Sequence, residues 1–377
     1  MTALRADCVF DGTQFHTNAL IELDADGRVA AFVPNGAGTA AALHVGSPLI
    51  LAPGFVDLQV NGGGTVLFNR ETSAAGARLI AEAHARLGTT SILPTLISAT
   101  RDHIAVALAA AEAAVAADVP GVRGVHVEGP FISPARPGIH PARNITIMTE
   151  ADAAMLAAPR RGVRLLTLAP EMVAAALLGT LAGSGVVLFA GHSDATLDQA
   201  LAGYAAGVTG ATHLYNAMSQ LGSRAPGLVG ATMTDARAAA GIIVDGHHVH
   251  PATVWLAWRA MGPERLFLVS DSMPTIGSDL DHFIFDGQRM DLAGDRLTDA
   301  GGRLAGAHIC MADAVRNAVQ LCGLPLGDAL RMATRTPADA IRLDDVGRIA
   351  TGARADFVAL DADLRVRAVW QGGRRVD

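Results

Sequence analysis

Two histidines end consecutive strand-like runs. Val186 to Ala190 leads into Gly191-His192-Ser193-Asp194, and Val208 to Thr212 leads into His213-Leu214-Tyr215-Asn216-Ala217-Met218. Between them Leu197, Leu201 and Tyr204 recur at helical spacing, so the stretch reads strand, helix, strand. In such a unit the two strands are parallel, and their carboxyl ends share one face of the sheet. Imidazole is a common ligand of transition metals, so two convergent histidines amount to half of a metal site. A lone histidine after a strand ordinarily serves as a hydrogen-bonding residue. Two at matching ends leave the ligand reading open and raise the question of a third donor.

Val125-His126-Val127-Glu128-Gly129-Pro130-Phe131 offers that donor. In a strand His126 and Glu128 point the same way, and Glu128 sits at the end that shares a rim with the two histidines. Alone, such a carboxylate is ordinarily solvated or paired with an arginine. Beside two imidazoles it completes the set Glu128, His192 and His213 with a fourth position open, the ligand pattern of a hydrolytic zinc site. A further run ends Leu268-Val269-Ser270-Asp271-Ser272. Asp271 reads either as a helix N-cap or as a base that takes a proton from an attacking water and returns it to a leaving nitrogen.

These residues need a frame that brings strand ends together. Candidate strands are Phe55 to Val60, Thr89 to Ile97, Gly121 to Glu128, Val163 to Leu168, Val186 to Ala190, Val208 to His213, Ala239 to Asp245 and Arg265 to Asp271. Helical patterns follow most of them, at Ala74 to Leu87, Arg101 to Val115, Ala151 to Ala158 behind a Thr149 cap, Met172 to Leu181, Leu197 to Tyr204, Ala252 to Met261 and Ala312 to Leu321. The alternation predicts an α/β fold of the closed (β/α)8 TIM-type barrel over residues 53–345. Short strand signals at both ends predict a small β-sandwich domain built from residues 1–52 and 346–377. They include Ala19 to Leu23, Val29 to Val33, Gly347-Arg348-Ile349, Asp356 to Leu360 and Val366 to Trp370. Loops 129–148, 214–235 and 272–311 are long and rich in glycine and proline, and are expected to wall the substrate site.

Composition narrows the partners. Half of the 377 residues are hydrophobic, the formal net charge is −7, and no basic run occurs, which argues against nucleic acid. Cys8, Cys310 and Cys322 lack metal-site or disulfide spacing. No apolar run is long enough to span a membrane, and the N-terminus has no signal-peptide core, so the expected location is the cytoplasm.

Pro53-Gly54-Phe55-Val56-Asp57, together with Gly347 to Asp356, resembles the amidohydrolase superfamily, which pairs a metal-bearing barrel with a terminal β-sandwich. Glu128-Gly129-Pro130-Phe131, Gly191-His192-Ser193-Asp194, His213 to Met218 and Asp245-Gly246-His247-His248-Val249 together resemble its N-acetylglucosamine-6-phosphate deacetylases. The resemblance implies hydrolysis of the N-acetyl group of a phosphorylated acetamido sugar. It implies a metal on Glu128, His192 and His213, Asp271 as base and acid, and His140 polarising the acetamido carbonyl. Ile139, Asn216, Ala217, Leu304, Ala305 and Gly306 would contact substrate. Arg224 and His248 would meet the sugar phosphate, one of them donated by the neighbouring subunit of a homodimer. His247 adjoins His248, which leaves open which of the two faces the phosphate. Where many amidohydrolases carry two histidines after the first strand, this chain has Gln59 and Asn61. Amides are poor ligands for zinc-like ions, so one divalent ion per subunit is expected, zinc or another such as iron. The rival readings are an amidohydrolase for a different N-acyl or cyclic amide, and a catalytically silent binding protein on the same frame.

Overall fold

Strands that are apolar along their whole length suit a sheet covered on both faces. The computed structural model describes residues 3–36, 43–46 and 49–376, so residues 1–2, 37–42, 47–48 and 377 of the expected terminal domain lie outside the described residues. Strands β1 (Phe55–Val60), β2 (Thr89–Ile97), β3 (Gly124–Glu128), β4 (Val163–Leu168), β5 (Val187–Ala190), β6 (Gly210–Ala211), β7 (Ala239–Ile242) and β8 (Leu266–Leu268) pair in sequential order as one parallel sheet. β1, β2 and β3 are buried at every position. This is the expected barrel, with every strand's carboxyl end on one rim.

Helices α1 (Ala74–Ala85), α2 (Arg101–Ala116), α3 (Glu150–Ala157), α4 (Ala175–Gly183), α5 (Leu197–Ala205), α6 (Gly227–Thr234), α7 (Pro251–Met261) and α8 (Met311–Gln320) lie between or after the strands. Side chains set several of their starts. Ser73 and Thr100 cap α1 and α2, and Thr149 and Thr196 form capping boxes with Asp152 and Gln199, each cap contributing about 1 kcal/mol. In α2, Ile104, Ala107, Leu108, Ala111 and Ala114 are buried at helical spacing, and their small side chains let the helix lie close to the sheet.

Several boundaries differ from expectation. β3 begins at Gly124, β6 has two residues, and β7 and β8 end early, because the chain turns out of the sheet before the rim residues. Two unexpected helices, α9 (Leu326–Ala333) and α10 (Arg335–Ala340), pack on β8 and β1. The segment 272–311 carries structure of its own, three antiparallel strands at His282–Phe285, Gln288–Ala293 and Arg296–Asp299. Asp286 and Gly287 turn the first hairpin in left-handed conformation, φ 52° and 75°. Phe283, Phe285, Met290 and Leu297 pack with Leu67, Ile97, Met273 and Ala305 over the barrel mouth. Segment 214–235 contains α6, while 129–148 is turns and one short 3-10 helix, Ala142–Asn144.

The terminal strands join as one eight-stranded sheet, ordered Arg374–Val376, Val366–Gln371, Phe357–Leu360, Ile50–Pro53, Ala3–Phe10, Phe15–Leu23 and Val29–Val33, with Leu43–His44 also on Ala3–Phe10. Its apolar side chains, among them Ile21, Val29, Phe357 and Trp370, share one core. Gly347-Arg348-Ile349 is irregular instead of a strand, with the Ile349 N–H donating to the Asp11 carbonyl at 2.9 Å.

The barrel closes between β1 and β8 without a regular ladder. The Asn61 and Gly62 N–H groups donate to the Ser272 carbonyl at 3.0 and 3.1 Å, and the Ser270 N–H donates to Asp57 Oδ1 at 3.2 Å. Asp57 is fully buried and its other oxygen has no partner among the described residues. Burial raises its pKa from 3.8 to about 7, against hydrogen bonds from Ser270 and Gln59 that favour the charge. An acid whose folded pKa is raised stabilises the fold fully below its unfolded pKa and loses that contribution as pH rises towards the folded value. Denaturant unfolding of Asp57→Asn beside the parent should therefore show the variant gaining relative stability between pH 4 and pH 8, by up to about 4 kcal/mol. A pH-independent difference would mean that Asp57 stays charged throughout.

Candidate active site

Glu128, the last residue of β3, sets Oε1 3.0 Å from His213 Nε2 and 3.3 Å from His192 Nε2. The two Nε2 atoms are 3.1 Å apart. A tetrahedral ion with bonds of about 2.0–2.1 Å holds its ligands about 3.3 Å apart, so the triangle has the size of one face of such a site. The tautomer fits as well. His192 Nδ1 lies 2.9 Å from the Arg136 carbonyl, which can only accept, so Nδ1 carries the proton and neutral Nε2 offers its lone pair to the centre. All three side chains are buried. Burial opposes the Glu128 charge, but the adjoining imidazoles of His140, His192 and His213 outweigh it and hold the carboxyl well below its usual range.

His140 adjoins the same cluster. Glu128, His140 and His192 offer ligand atoms within 4.8 Å of one another, yet His140 Nε2 comes no nearer than 3.7 Å to Glu128, on Oε2. His213 is the tighter third member. Ser98 Oγ fixes the His140 ring at 2.7 Å from Nδ1. Burial, then the neighbouring His192, lowers the His140 pKa to about 4, so the ring is neutral at neutral pH. Asp271 closes the site from just after β8, its Oδ1 accepting from Asn61 Nδ2 at 2.7 Å. Burial, then the Glu128 charge, raises its pKa to about 6. His126, two residues before Glu128, also points inward, but its Nε2 is 2.7 Å from Thr167 Oγ1 and it serves the barrel interior.

The backbone at the rim is unusual. His192, His213, Tyr215, Ala217 and Asp271 all have positive φ, from 33° to 76°. Such conformations cost a non-glycine residue about 1–3 kcal/mol each and persist where the surroundings over-determine them. Here the chain leaves each strand abruptly, which swings the side chains over the barrel mouth.

A cavity of about 600 Å³ opens above the triangle, and Ile139, His140, Asn216, Ala217, His248, Asp271, Leu304 and Gly306 line it with the three putting their donors together. Ala305 is buried beside it. His248 faces the cavity with Nδ1 2.6 Å from Asp245 Oδ2, whereas His247 turns to Asp295, 2.8 Å away. Arg224 is not among the lining residues. It borders a separate cavity with Asp194, Thr196, Ser219 and Gln220. Residues the sequence reading did not assign to the site are Ser98, Arg136, Met273 and Arg303, together with Gln59 and Asn61 as donors. Gln59 and Asn61 were visible as replacements for histidine, but their partners emerge only in three dimensions.

Residues 50–376 match the model of the amidohydrolase family. The chain belongs to that family. Among its relatives, an N-acetylgalactosamine-6-phosphate deacetylase of Shewanella sp. (strain ANA-3) is 45% identical over 86% of this chain and 82% of its own. An N-acetylglucosamine-6-phosphate deacetylase of Haemophilus influenzae is 34% identical over 84% of each. The crystal structure of N-acetylglucosamine-6-phosphate deacetylase from Pasteurella multocida superposes with a TM-score of 0.94, at 30% identity and 99% coverage of both chains.

In this amidohydrolase Gln59 Nε2 donates to Glu128 Oε1 at 2.9 Å, and the amide oxygens of Gln59 and Asn61 have no partner among the described residues. Only an NH2 group can face a carboxylate, so the two acids dictate how both amides point. A group that orients a ligand in this way is worth about 10- to 100-fold in metal affinity. Gln59→Met should lose divalent ion to a competing chelator at concentrations lower by that factor; unchanged retention would show that Glu128 is held without it.

Proposed function

We propose that the chain is a metal-dependent deacetylase that hydrolyses N-acetyl-D-glucosamine 6-phosphate to D-glucosamine 6-phosphate and acetate. The observation that carries this reading is the buried triangle of Glu128, His192 and His213 with Asp271 beside it at the foot of one cavity. N-acetyl-D-galactosamine 6-phosphate is the second reading, favoured by the 45% identical Shewanella relative. A silent binding protein would have no need to keep two imidazoles and a carboxylate converging at 3.0–3.3 Å.

Glu128, His192 and His213 would hold one divalent ion, which we assign as zinc. The chemistry such an ion supplies is activation of water and polarisation of a carbonyl. Asp271, held by Asn61, takes the proton of the attacking water and returns it to nitrogen as the C–N bond breaks, which leaves the free amine and acetate. His140, its ring fixed by Ser98 Oγ 2.7 Å from Nδ1, polarises the carbonyl oxygen as negative charge develops there. Asn216, Ala217, Ile139, Leu304 and Gly306 position the sugar, and His248, steadied by Asp245, meets its phosphate. Arg224 would reach a substrate only across the interface of a homodimer. We assign catalysis to the barrel, residues 53–345, and a supporting role to the sheet from 1–52 and 346–377, in the cytoplasm.

Asp271→Asn should keep its metal content while turnover on the phosphorylated sugar falls by about 10²- to 10⁴-fold. Normal turnover at normal metal content would remove Asp271 from this role. Acetate release from a panel of phosphorylated acetamido sugars, with and without added zinc or iron, tests the substrate; release from none of them would defeat the reading.

A further inference from the structure

His84 is a buried imidazole that the chemistry above does not use. It sits in the last turn of α1, fully buried, and burial lowers its pKa to about 4, so the ring is neutral. Its Nε2 lies 3.0 Å from the Gly62 carbonyl and 3.2 Å from Ser272 Oγ. A carbonyl can only accept, so Nε2 carries the proton, and Nδ1 has no partner among the described residues. The Ser272 hydroxyl donates to the same Gly62 carbonyl at 3.3 Å, and the Gly62 N–H donates to the Ser272 carbonyl at 3.1 Å. The next residue passes close over the ring, since a Cβ on Gly63 would meet His84 Nε2 at 2.8 Å. One imidazole from α1 therefore clamps together the two segments that run on from β1 and β8.

We propose that His84 is a positioning residue for the catalytic base: by clamping Gly62 to Ser272 it sets where the Asp271 carboxylate stands over the reacting centre. The inference rests on the deacetylase reading above. Each clamped residue directly follows a residue of the site, Gly62 after Asn61 and Ser272 after Asp271, and Asn61 Nδ2 donates to Asp271 Oδ1 across the same seam. Sheet pairing cannot do this work. β8 ends at Leu268, and beyond it the seam has one isolated bridge, Val60 with Ser272. Asp271 also has φ 50°, a conformation that a non-glycine residue keeps only where its neighbours over-determine it. His84 supplies that constraint from the far side of Ser272, away from the cavity. A base displaced by about 1 Å can lose about 10²-fold in rate, so a contact one residue away from the base reaches the chemistry.

The test uses metal-loaded His84→Leu, His84→Gln and Ser272→Ala, with thermal unfolding and metal content measured beside steady-state deacetylation of N-acetylglucosamine 6-phosphate. Leu fills the space without a donor, whereas Gln keeps an N–H at similar reach. His84→Leu should lower kcat by about 10- to 100-fold with KM and metal content within about twofold of the parent, and His84→Gln should restore kcat to within about threefold. In an Asp271→Asn background, where no base is left to place, His84→Leu should cost less than about twofold more. A folded His84→Leu enzyme with parental kcat would overturn the proposal. So would a Gln variant as impaired as Leu, a loss that persists in the Asp271→Asn background, or one that falls on KM or metal content instead. If His84→Leu does not fold, Ser272→Ala decides: a fall in kcat alone supports the clamp, and parental kcat refutes it. Any of these refutations leaves the deacetylase reading standing. If the parent enzyme itself releases no acetate from phosphorylated acetamido sugars, that underlying reading falls, and the role of His84 with it.

Discussion

A carboxylate buried at a strand end is the constraint around which the barrel mouth is arranged. Unpaired, Glu128 would be costly to bury, because an ionised group loses its hydration and gains nothing in return. Here one oxygen faces two imidazole nitrogens and the Gln59 amide within 3.3 Å. The His192 nitrogen in that group is a lone pair, since its proton is held by the Arg136 carbonyl. A lone pair aimed at a carboxylate is repulsive on its own account. The geometry becomes favourable only with a positive charge between them, which is the physical sense in which these residues fit an ion.

That arrangement also does structural service. Gln59 and Asn61 lie at the end of β1; one donates to Glu128 on β3 and the other to Asp271 after β8. Backbone pairing between β1 and β8 is sparse, so these side-chain contacts help to hold the seam as well as the acids. Gln59 and Asn61 are therefore not idle at the rim. Amides bind zinc-like ions poorly but serve carboxylates well, so these two side chains act as braces.

Much of this was legible because the barrel writes its strands as apolar runs and its chemistry as the polar residue that ends each run. Glu128, His192, His213 and Asp271 could be read as one rim from that rule alone. The hairpin at 282–299 carried a signal too, alternating Phe283, Phe285 and Met290 around Asp286-Gly287, but a long polar segment between strand and helix was taken as loop. Arginines were the least legible. Arg136, Arg224 and Arg303 all sit in loops beside glycine, proline or serine, and nothing in their spacing tells which borders the reaction cavity. Side-chain direction in a loop depends on backbone turns and tertiary contacts, and these place Arg136 and Arg303 in the cavity while Arg224 borders another.

The cover over the mouth follows from the same contacts. Phe283, Phe285, Met290 and Leu297 bury their side chains against Leu67, Ile97 and Met273, so the small sheet has an apolar reason to lie there. Polar links then set its position over the loops: Arg143 with Asp286, Arg303 with the Gly138 carbonyl, and His247 with Asp295. Each link joins the cover to a segment that also carries a site residue, respectively the stretch after His140, the turn before it, and His248. Water displaced by the cover leaves a lower effective dielectric around Glu128 and Asp271, in which each fixed dipole and charge acts more strongly. The apolar face beneath the cover and the donors at its edge are therefore parts of one device, since exclusion of water would weaken the site unless its charges were already paired.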